Sequence, residues 1–292
     1  LLIDEYDVPM ARATSNGYYK EMLEIMKGFM QALKDNQCIK LAVITGCLKI
    51  AKESIFTGTN NFVSNTITSS RLNEYYGFVQ NEVDRILEDA EIKGKGDIMK
   101  KWYDGYHFGD VDVYCPWDVM CYVDDLQKNP NAKPDEYWKD TSDNAIIRSF
   151  IDYAGASITK KLETLMNGGY IIQRVDENLT YDYLHSSEEN LWSLMYLTGY
   201  LTQVRDYKND DDWQDNMVAL KIPNLEIKQI FETEVSKWFE DSSKKWNRTE
   251  LFSSVWSEDC DKITKFSKTR FRYVSLAAVL RSQAQLIVVP AF

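Results

Sequence analysis

The sequence predicts an α/β fold that opens on part of a parallel sheet and continues into mostly helical sections, and three observations carry that prediction. Leu1-Leu2-Ile3 is an apolar run ending abruptly in Asp4-Glu5, the pattern of a strand buried on both faces with its polar groups at the carboxyl end. Ile39 to Ile44 is a second apolar run, ending at Thr45-Gly46. Between them Met22, Ile25, Met26, Phe29, Met30 and Leu33 recur at helical spacing. Strand, helix, strand is a crossover unit, and crossovers join parallel strands.

The remaining elements follow in order. A turn at Pro9 and a polar loop precede the first helix, with Asn16 available near its start as a cap. Val63 to Thr68 is rich in β-branched residues and reads as a third strand. From Val79 the period turns helical, with Val83, Ile86, Leu87 and Ala90 on one face. The aromatic stretch Trp102 to Phe108 falls on a helix end and hairpin. Pro116 suits the first turn of a helix bearing Val119, Met120, Tyr122 and Val123. Further helices are expected near 143–153 and 157–167. Ser187 precedes an apolar helix through Leu191, Trp192, Leu194, Met195 and Leu197; Tyr200 to Val204 and Met217 to Ile222 then read as strands. Pro223 and Asn224 open a last amphipathic helix through Ile227, Ile230, Phe231, Val235 and Phe239. Helix followed by hairpin gives this region a winged-helix-like order.

Composition excludes several classes. With 292 residues, 8 Trp and 18 Tyr, the chain has the length and the aromatic content of a folded protein. A net charge of −11 disfavours wholesale attraction to nucleic acid or anionic membrane, leaving only a local basic patch. Five scattered cysteines without a C-x-x-C pair, and two histidines, argue against a disulfide framework or a structural zinc site. No apolar run reaches the roughly 18 residues of a membrane span, so no membrane partner is expected and the cytoplasm is the default compartment.

The chemistry concentrates at the strand ends. An apolar strand followed by Asp-Glu has the form of a Walker B segment, in which the Asp helps hold Mg²⁺ and the Glu orients the attacking water. Side chains alternate along a strand, so adjacent acids at its end can diverge toward metal and nucleophile. The bland alternative for Asp4 and Glu5 is a helix cap or a solvated turn. Thr45 would sit beside them in a parallel sheet, where its hydroxyl can sense a γ-phosphate or the nucleophilic water; its alternative is a buried Thr serving a nearby backbone group. Ligands of open α/β sheets bind beyond the carboxyl ends of the strands, which favours the joint reading. The sequence holds no Gly-x-x-x-x-Gly-Lys followed by Ser or Thr, and Gly94-Lys95-Gly96 is no match. The chain as written is therefore expected to bind ATP poorly and to be inactive, with the phosphate cradle on a segment upstream of Leu1.

A longer set of motifs resembles the AAA-ATPase-like family, bacterial P-loop ATPases often fused to a nuclease domain of the restriction-endonuclease-like (PD-(D/E)XK) fold. The resemblance runs through Leu1 to Pro9, Thr45 to Gly58, Tyr75 to Phe78, Trp102 to Tyr106, Tyr114 to Trp117 and Ser186 to Leu201, covering the chain to about Trp256. It implies Mg-ATP hydrolysis, with Asp4 as metal and cofactor partner, Glu5 as catalytic base, Thr45 as sensor and Lys49 at a phosphate-contacting position where relatives carry Arg. Cys115 replaces an expected Asn, and Val79 an expected helix-capping Thr. The nuclease domain expected after residue 256 is absent, so nuclease activity is not carried over.

On this reading 1–78 is the C-terminal portion of a P-loop ATPase core, 79–180 a helical lid region with a hairpin, 181–256 winged-helix-like, and 257–292 an atypical basic tail. In that tail no acid follows Asp261, while Lys262, Lys265, Lys268, Arg270, Arg272 and Arg281 continue. The intact protein would use its nucleotide state as a switch for an attached effector, and an oligomer stays open. The alternative is a non-catalytic module whose winged-helix-like region grips DNA or protein. The Trp102 to Phe108 aromatics read as core rather than as a clamp for a base. His107 and His185 read as structural, and Asp210-Asp211-Asp212 as a solvated loop lacking calcium-loop spacing.

Overall fold

A computed structural model describes residues 1–31, 33, 36–48, 62–138, 156–179, 187–205, 207 and 217–244. Among the described residues the architecture mixes helices with three small sheets, in keeping with an α/β chain. The described residues fall into two compact units interleaved along the sequence. One takes its residues from 1–86, 104–116 and 172–223, the other from 87–103, 117–171 and 224 onward.

The first unit opens with β1 (Leu2–Ile3), α1 (Val8–Asn16), α2 (Tyr19–Gln31) and β2 (Val43–Ile44). The expected crossover is present: β1 and β2 are parallel, with Leu2 opposite Val43 and Ile3 opposite Ile44. The polar loop expected after Pro9 is instead a helix. Pro9 sits in the first turn of α1, where its missing N–H is harmless, and Gly17 closes that helix at φ 78°. Asn16 is thus the last residue of α1 rather than a cap for the next helix. Tyr6, Met10, Tyr19, Met26 and Met30 form the core between the helices and strands, with Ile3 and Ile44 packed on it.

The strands are buried on one face only, which corrects the two-sided expectation. Leu2 is 82% exposed and Val43 46%, because side chains alternate and only the Ile3 and Ile44 side meets α1 and α2 among the described residues. Ile25 and Phe29 likewise lie on the open side of α2. Val63 to Thr68 forms no strand. Its β-branched residues follow a turn in which the Thr66 and Thr68 hydroxyls donate to the Glu177 carboxylate at 3.1 and 2.8 Å, so side-chain bonding replaces ladder pairing.

The same unit holds a hairpin, β3 (Tyr106–Phe108) with β4 (Val111–Val113), and a three-stranded sheet. That sheet orders β5 (Ile171–Arg174), β7 (Met217–Lys221) and β6 (Thr202–Gln203), with β6 and β7 antiparallel. β5 was not anticipated. α7 (Glu188–Leu197) precedes the β6–β7 pair, and the Ser187 hydroxyl caps it by accepting from the Asn190 N–H at 3.2 Å. Gly105 is required where it stands: its φ is 105°, and a Cβ would lie 2.3 Å from the Pro223 carbonyl oxygen.

α3 (Gln80–Asp89) runs across the division between the units. Val79 offers no side-chain cap there, but Glu82 reaches back to its N–H at 3.0 Å, half of a capping box. The second unit is built on α4 (Gly96–Tyr103), α5 (Pro116–Lys128, from Trp117 on), α6 (Ala156–Met166) and α8 (Leu225–Lys244). Pro116 stands at the first helical position, as expected. Tyr103 is fully buried at the centre of an aromatic cluster, its ring 5.8 Å from Tyr122 and 5.9 Å from Tyr137. Asn224 caps α8 by accepting from the Ile227 N–H at 3.0 Å. The helix expected near 143–153, His185, the Asp210 to Asp212 loop and the tail after 257 lie outside the described residues.

Candidate functional site

The register of the parallel pair sets the candidate site. Ile3 faces Ile44, so Asp4 and Thr45 leave the sheet side by side at its carboxyl rim. The strands are stitched there by the Thr45 N–H to the Ile3 carbonyl and the Tyr6 N–H to the Thr45 carbonyl, both 2.9 Å. The Thr45 hydroxyl donates to Asp4 Oδ1 and accepts from the Glu5 N–H at 3.3 Å. Asp4, Glu5 and Thr45 are all exposed. The structure therefore brings these three expected residues together. Lys49 lies outside the described residues.

Two features mark this rim, the first of them shared with Leu72 and Glu91 among the described residues. Glu5 sits at φ 49°, the left-handed region that non-glycine residues enter rarely and at a cost. The cap position of α1 belongs to Asp7 rather than to Asp4 or Glu5, and even Asp7 makes no side-chain cap bond to its own helix. Its buried carboxylate turns instead to the segment after Thr45. Oδ2 accepts from the Leu48 N–H at 2.9 Å and the Cys47 N–H at 3.1 Å, and Oδ1 lies 3.2 Å from the same Cys47 nitrogen. Tyr6 reinforces this, its phenol donating to the Leu48 carbonyl at 2.7 Å. Gly46 passes close beneath: a Cβ there would lie 2.6 Å from the Tyr6 ring and 2.7 Å from Asp7 Oδ1. Although Cys47 is exposed as a residue, desolvation of its sulfur, with the Asp7 and Glu5 carboxylates nearby, pushes the thiol up to about 11.

Among the described residues no group of three or more His, Cys, Asp or Glu side chains is placed to hold a metal ion. A magnesium ion shared with phosphates needs fewer protein ligands, because it keeps several waters and takes one or two carboxylates. The exposed Asp4 carboxylate, next to the Thr45 hydroxyl, fits that demand.

A second cluster escaped the sequence. In the helical unit Asp118, in the first turn of α5, and Glu226, in the first turn of α8, are both completely buried. Burial first, then the adjacent Asp118, pushes the Glu226 carboxyl up to about 9, against the Trp138 N–H that donates to it at 2.8 Å. The only sequence signal was an acid near each helix start, which is commonplace on solvated helices. The aromatic stretch behaves as core at Tyr103 and Tyr106, while His107 pairs through Nδ1 with Asp112 at 3.0 Å, and Arg205 meets the other Asp112 oxygen at 2.8 Å.

Comparison with known proteins bears on the first site. Residues 1–56 match the AAA-ATPase-like family model, described as "Predicted AAA-ATPase". That match spans Asp4, Glu5 and Thr45. A protein of Azotobacter chroococcum mcd 1, described as "Uncharacterized protein in vnfD 5'region", is 26% identical over 233 residues. The aligned stretch covers 78% of this chain and 41% of that relative, so more than half of the relative lies outside the match. No solved structure matches. No helix among the described residues is long and apolar enough to cross a membrane.

Proposed function

We propose that this chain supplies the hydrolytic rim of an Mg-dependent ATPase, whose nucleotide state acts as a switch for an attached effector. The observation that carries the reading is the meeting of Asp4, Glu5 and Thr45 at the carboxyl rim of a parallel strand pair, with Glu5 held in a strained left-handed conformation. Strain of this kind persists where surrounding structure over-determines a residue, and it gathers at functional positions. The family match over residues 1–56 supports the same reading.

In this role the residues divide the work. Asp4 would hold the magnesium ion, which supplies neutralisation of phosphate charge when bound. Thr45, hydrogen-bonded to Asp4, fixes that carboxylate's rotamer and leaves its hydroxyl at the rim. Glu5 orients water, the left-handed backbone turning its side chain away from the strand line set by Asp4. Lys49 is the residue assigned to a phosphate oxygen. The test is Mg-dependent phosphate release from ATP by the full-length gene product. Glu5→Gln is expected to lower kcat by at least about a hundredfold, the order for loss of a general base, while ATP still binds. Unchanged turnover in Glu5→Gln rejects the role.

The order α7, β6, β7 supports a second reading, a winged-helix-like module that grips DNA or protein without catalysis. Binding to a DNA duplex that weakens steeply with added salt would favour it, because phosphate contacts release counterions.

A further inference from the structure

Helix α1 begins with an aspartate in the position where a carboxylate ordinarily accepts from the amides of its own first turn. Asp7 declines that partner set. It is 1% exposed, and its oxygens accept from the N–H groups of Cys47 and Leu48, forty residues away in sequence. Burying a carboxylate is costly unless charged hydrogen bonds replace its water, and these bonds do so. The arrangement gives up a local cap in favour of a long-range tie.

We propose that Asp7 is a positioning residue of the rim: its carboxylate clasps the Gly46-Cys47-Leu48 backbone and so keeps the Thr45 hydroxyl on Asp4. The proposal rests on the ATPase reading above. Three contacts make the clasp. Asp7 binds two successive N–H groups, the Tyr6 phenol binds the Leu48 carbonyl, and the Tyr6 ring packs where Gly46 has no Cβ. Thr45 is joined directly to this segment, and its own carbonyl accepts from the Tyr6 N–H. The residues flanking Asp4 and Glu5 on one strand thus grip the residues flanking Thr45 on the other. A shift of Gly46 would be felt at the Thr45 hydroxyl, one residue away. Asp7 touches no reacting atom, so it acts through Thr45 and Asp4 rather than as a catalytic residue.

The experiment compares the full-length protein with Asp7→Asn, Tyr6→Phe, Gly46→Ala and Glu5→Gln, reading amide hydrogen exchange at Cys47 and Leu48 together with kcat and KM for ATP. Asp7→Asn keeps the shape but removes the charge and one acceptor: with its carbonyl oxygen in the place of Oδ2, its NH₂ faces the Cys47 N–H, and in the flipped orientation it faces both backbone donors. Exchange at both amides is expected to speed up roughly ten- to hundredfold, the scale for losing hydrogen bonds to a charged group. kcat is expected to fall by about the same factor with KM nearly unchanged, as a misplaced catalytic group costs rate. Gly46→Ala should reproduce both effects with Asp7 intact, and the double variant should be less than additive, since the two changes break one device. Tyr6→Phe, which removes one hydroxyl and keeps the ring, gives a milder version and decides the matter if Asp7→Asn does not fold. Glu5→Gln should abolish turnover without altering exchange at Cys47 and Leu48. Unchanged exchange in a folded Asp7→Asn protein overturns the clasp, and faster exchange with unchanged kcat overturns the positioning role. If the wild type shows no Mg-dependent hydrolysis, the ATPase reading fails and takes the positioning role with it, while the exchange data still decide whether the clasp exists.

Discussion

The buried acid pair of the helical unit makes folding sensitive to pH, and Glu226→Gln is the perturbation that exposes it. Glu226 faces Asp118 from α5, Glu136 and the Trp138 N–H from the segment after α5, and lies near the Tyr103 phenol of α4. Its carboxyl is raised from 4.5 to about 9, so the folded protein holds a proton that the unfolded chain has already released at neutral pH. Below 4.5 both states are protonated and this group adds no slope. Between 4.5 and about 9 the folded state binds the extra proton, so stability falls as pH rises. Above about 9 the stabilisation is gone. One proton corresponds to about 1.4 kcal/mol per pH unit, so raising the pH by three units inside this window removes on the order of 4 kcal/mol. That is a large share of the roughly 5 to 15 kcal/mol of a typical domain.

Glutamine keeps the shape and, through its NH₂ group, replaces the single O–H donor of a protonated carboxyl, and it cannot ionise. Glu226→Gln should therefore flatten this part of the profile. Urea titrations at several pH values, read by circular dichroism and by amide protection in α5 and α8, give the slopes. The difference between wild type and variant cancels the groups remote from the site and reports the Glu226–Asp118 pair, which titrates as a unit. Wild-type stability of this unit should fall across the window while that of the variant stays nearly level, and the variant should be the more stable of the two near pH 8. Equal slopes in the two proteins refute the reasoning, because they would mean that Glu226 is ionised in the folded state.

Two further outcomes follow from local geometry. Gly105→Ala places a Cβ against the Pro223 carbonyl at a φ of 105°, and is expected to destabilise by at least about 2 kcal/mol in the same titrations. Cys47, exposed but with its thiol raised to about 11, should react with iodoacetamide at pH 8 roughly a hundredfold more slowly than its exposure suggests, and its rate should still climb above pH 10 when followed by mass spectrometry.

What could be read from the sequence was set by the range of the interaction. The crossover, the helix at Pro116, the helices opened at Ser187 and at Pro223-Asn224, and the placement of Asp4, Glu5 and Thr45 at one rim rest on periodicity or on residue types at fixed short offsets, and the structure holds each of these placements. The α1 residues read as a loop because Ala11 to Asn16 carry no apolar side chain larger than alanine, and the helix's cohesion comes from Met10 and Ala13 meeting the core. The strand read at Val63 to Thr68 failed for the opposite reason: β-branched residues favour strands only where a ladder partner is present. Asp7, Asp118 and Glu226 were illegible because burial and long-range partners define them, and neither leaves a local mark.

Two acid pairs of this chain differ in physical character, and one substitution separates them. Asp118 and Glu226 are buried and act on stability. Asp4 and Glu5 are exposed, so removing their charge exposes no cavity and orphans no buried donor. Glu5 goes further, because its left-handed backbone at φ 49° is a standing cost of about 1 kcal/mol. Asparagine tolerates that conformation better than glutamate does. Glu5→Asn should therefore leave the fold intact or raise its melting temperature by a degree or two, at about 2 to 4 °C per kcal/mol for a unit of this size, while abolishing the ATP turnover proposed for the full-length protein. A variant that loses both stability and activity would mean that the Glu5 side chain holds the rim together, and the strain would then need an explanation other than catalysis.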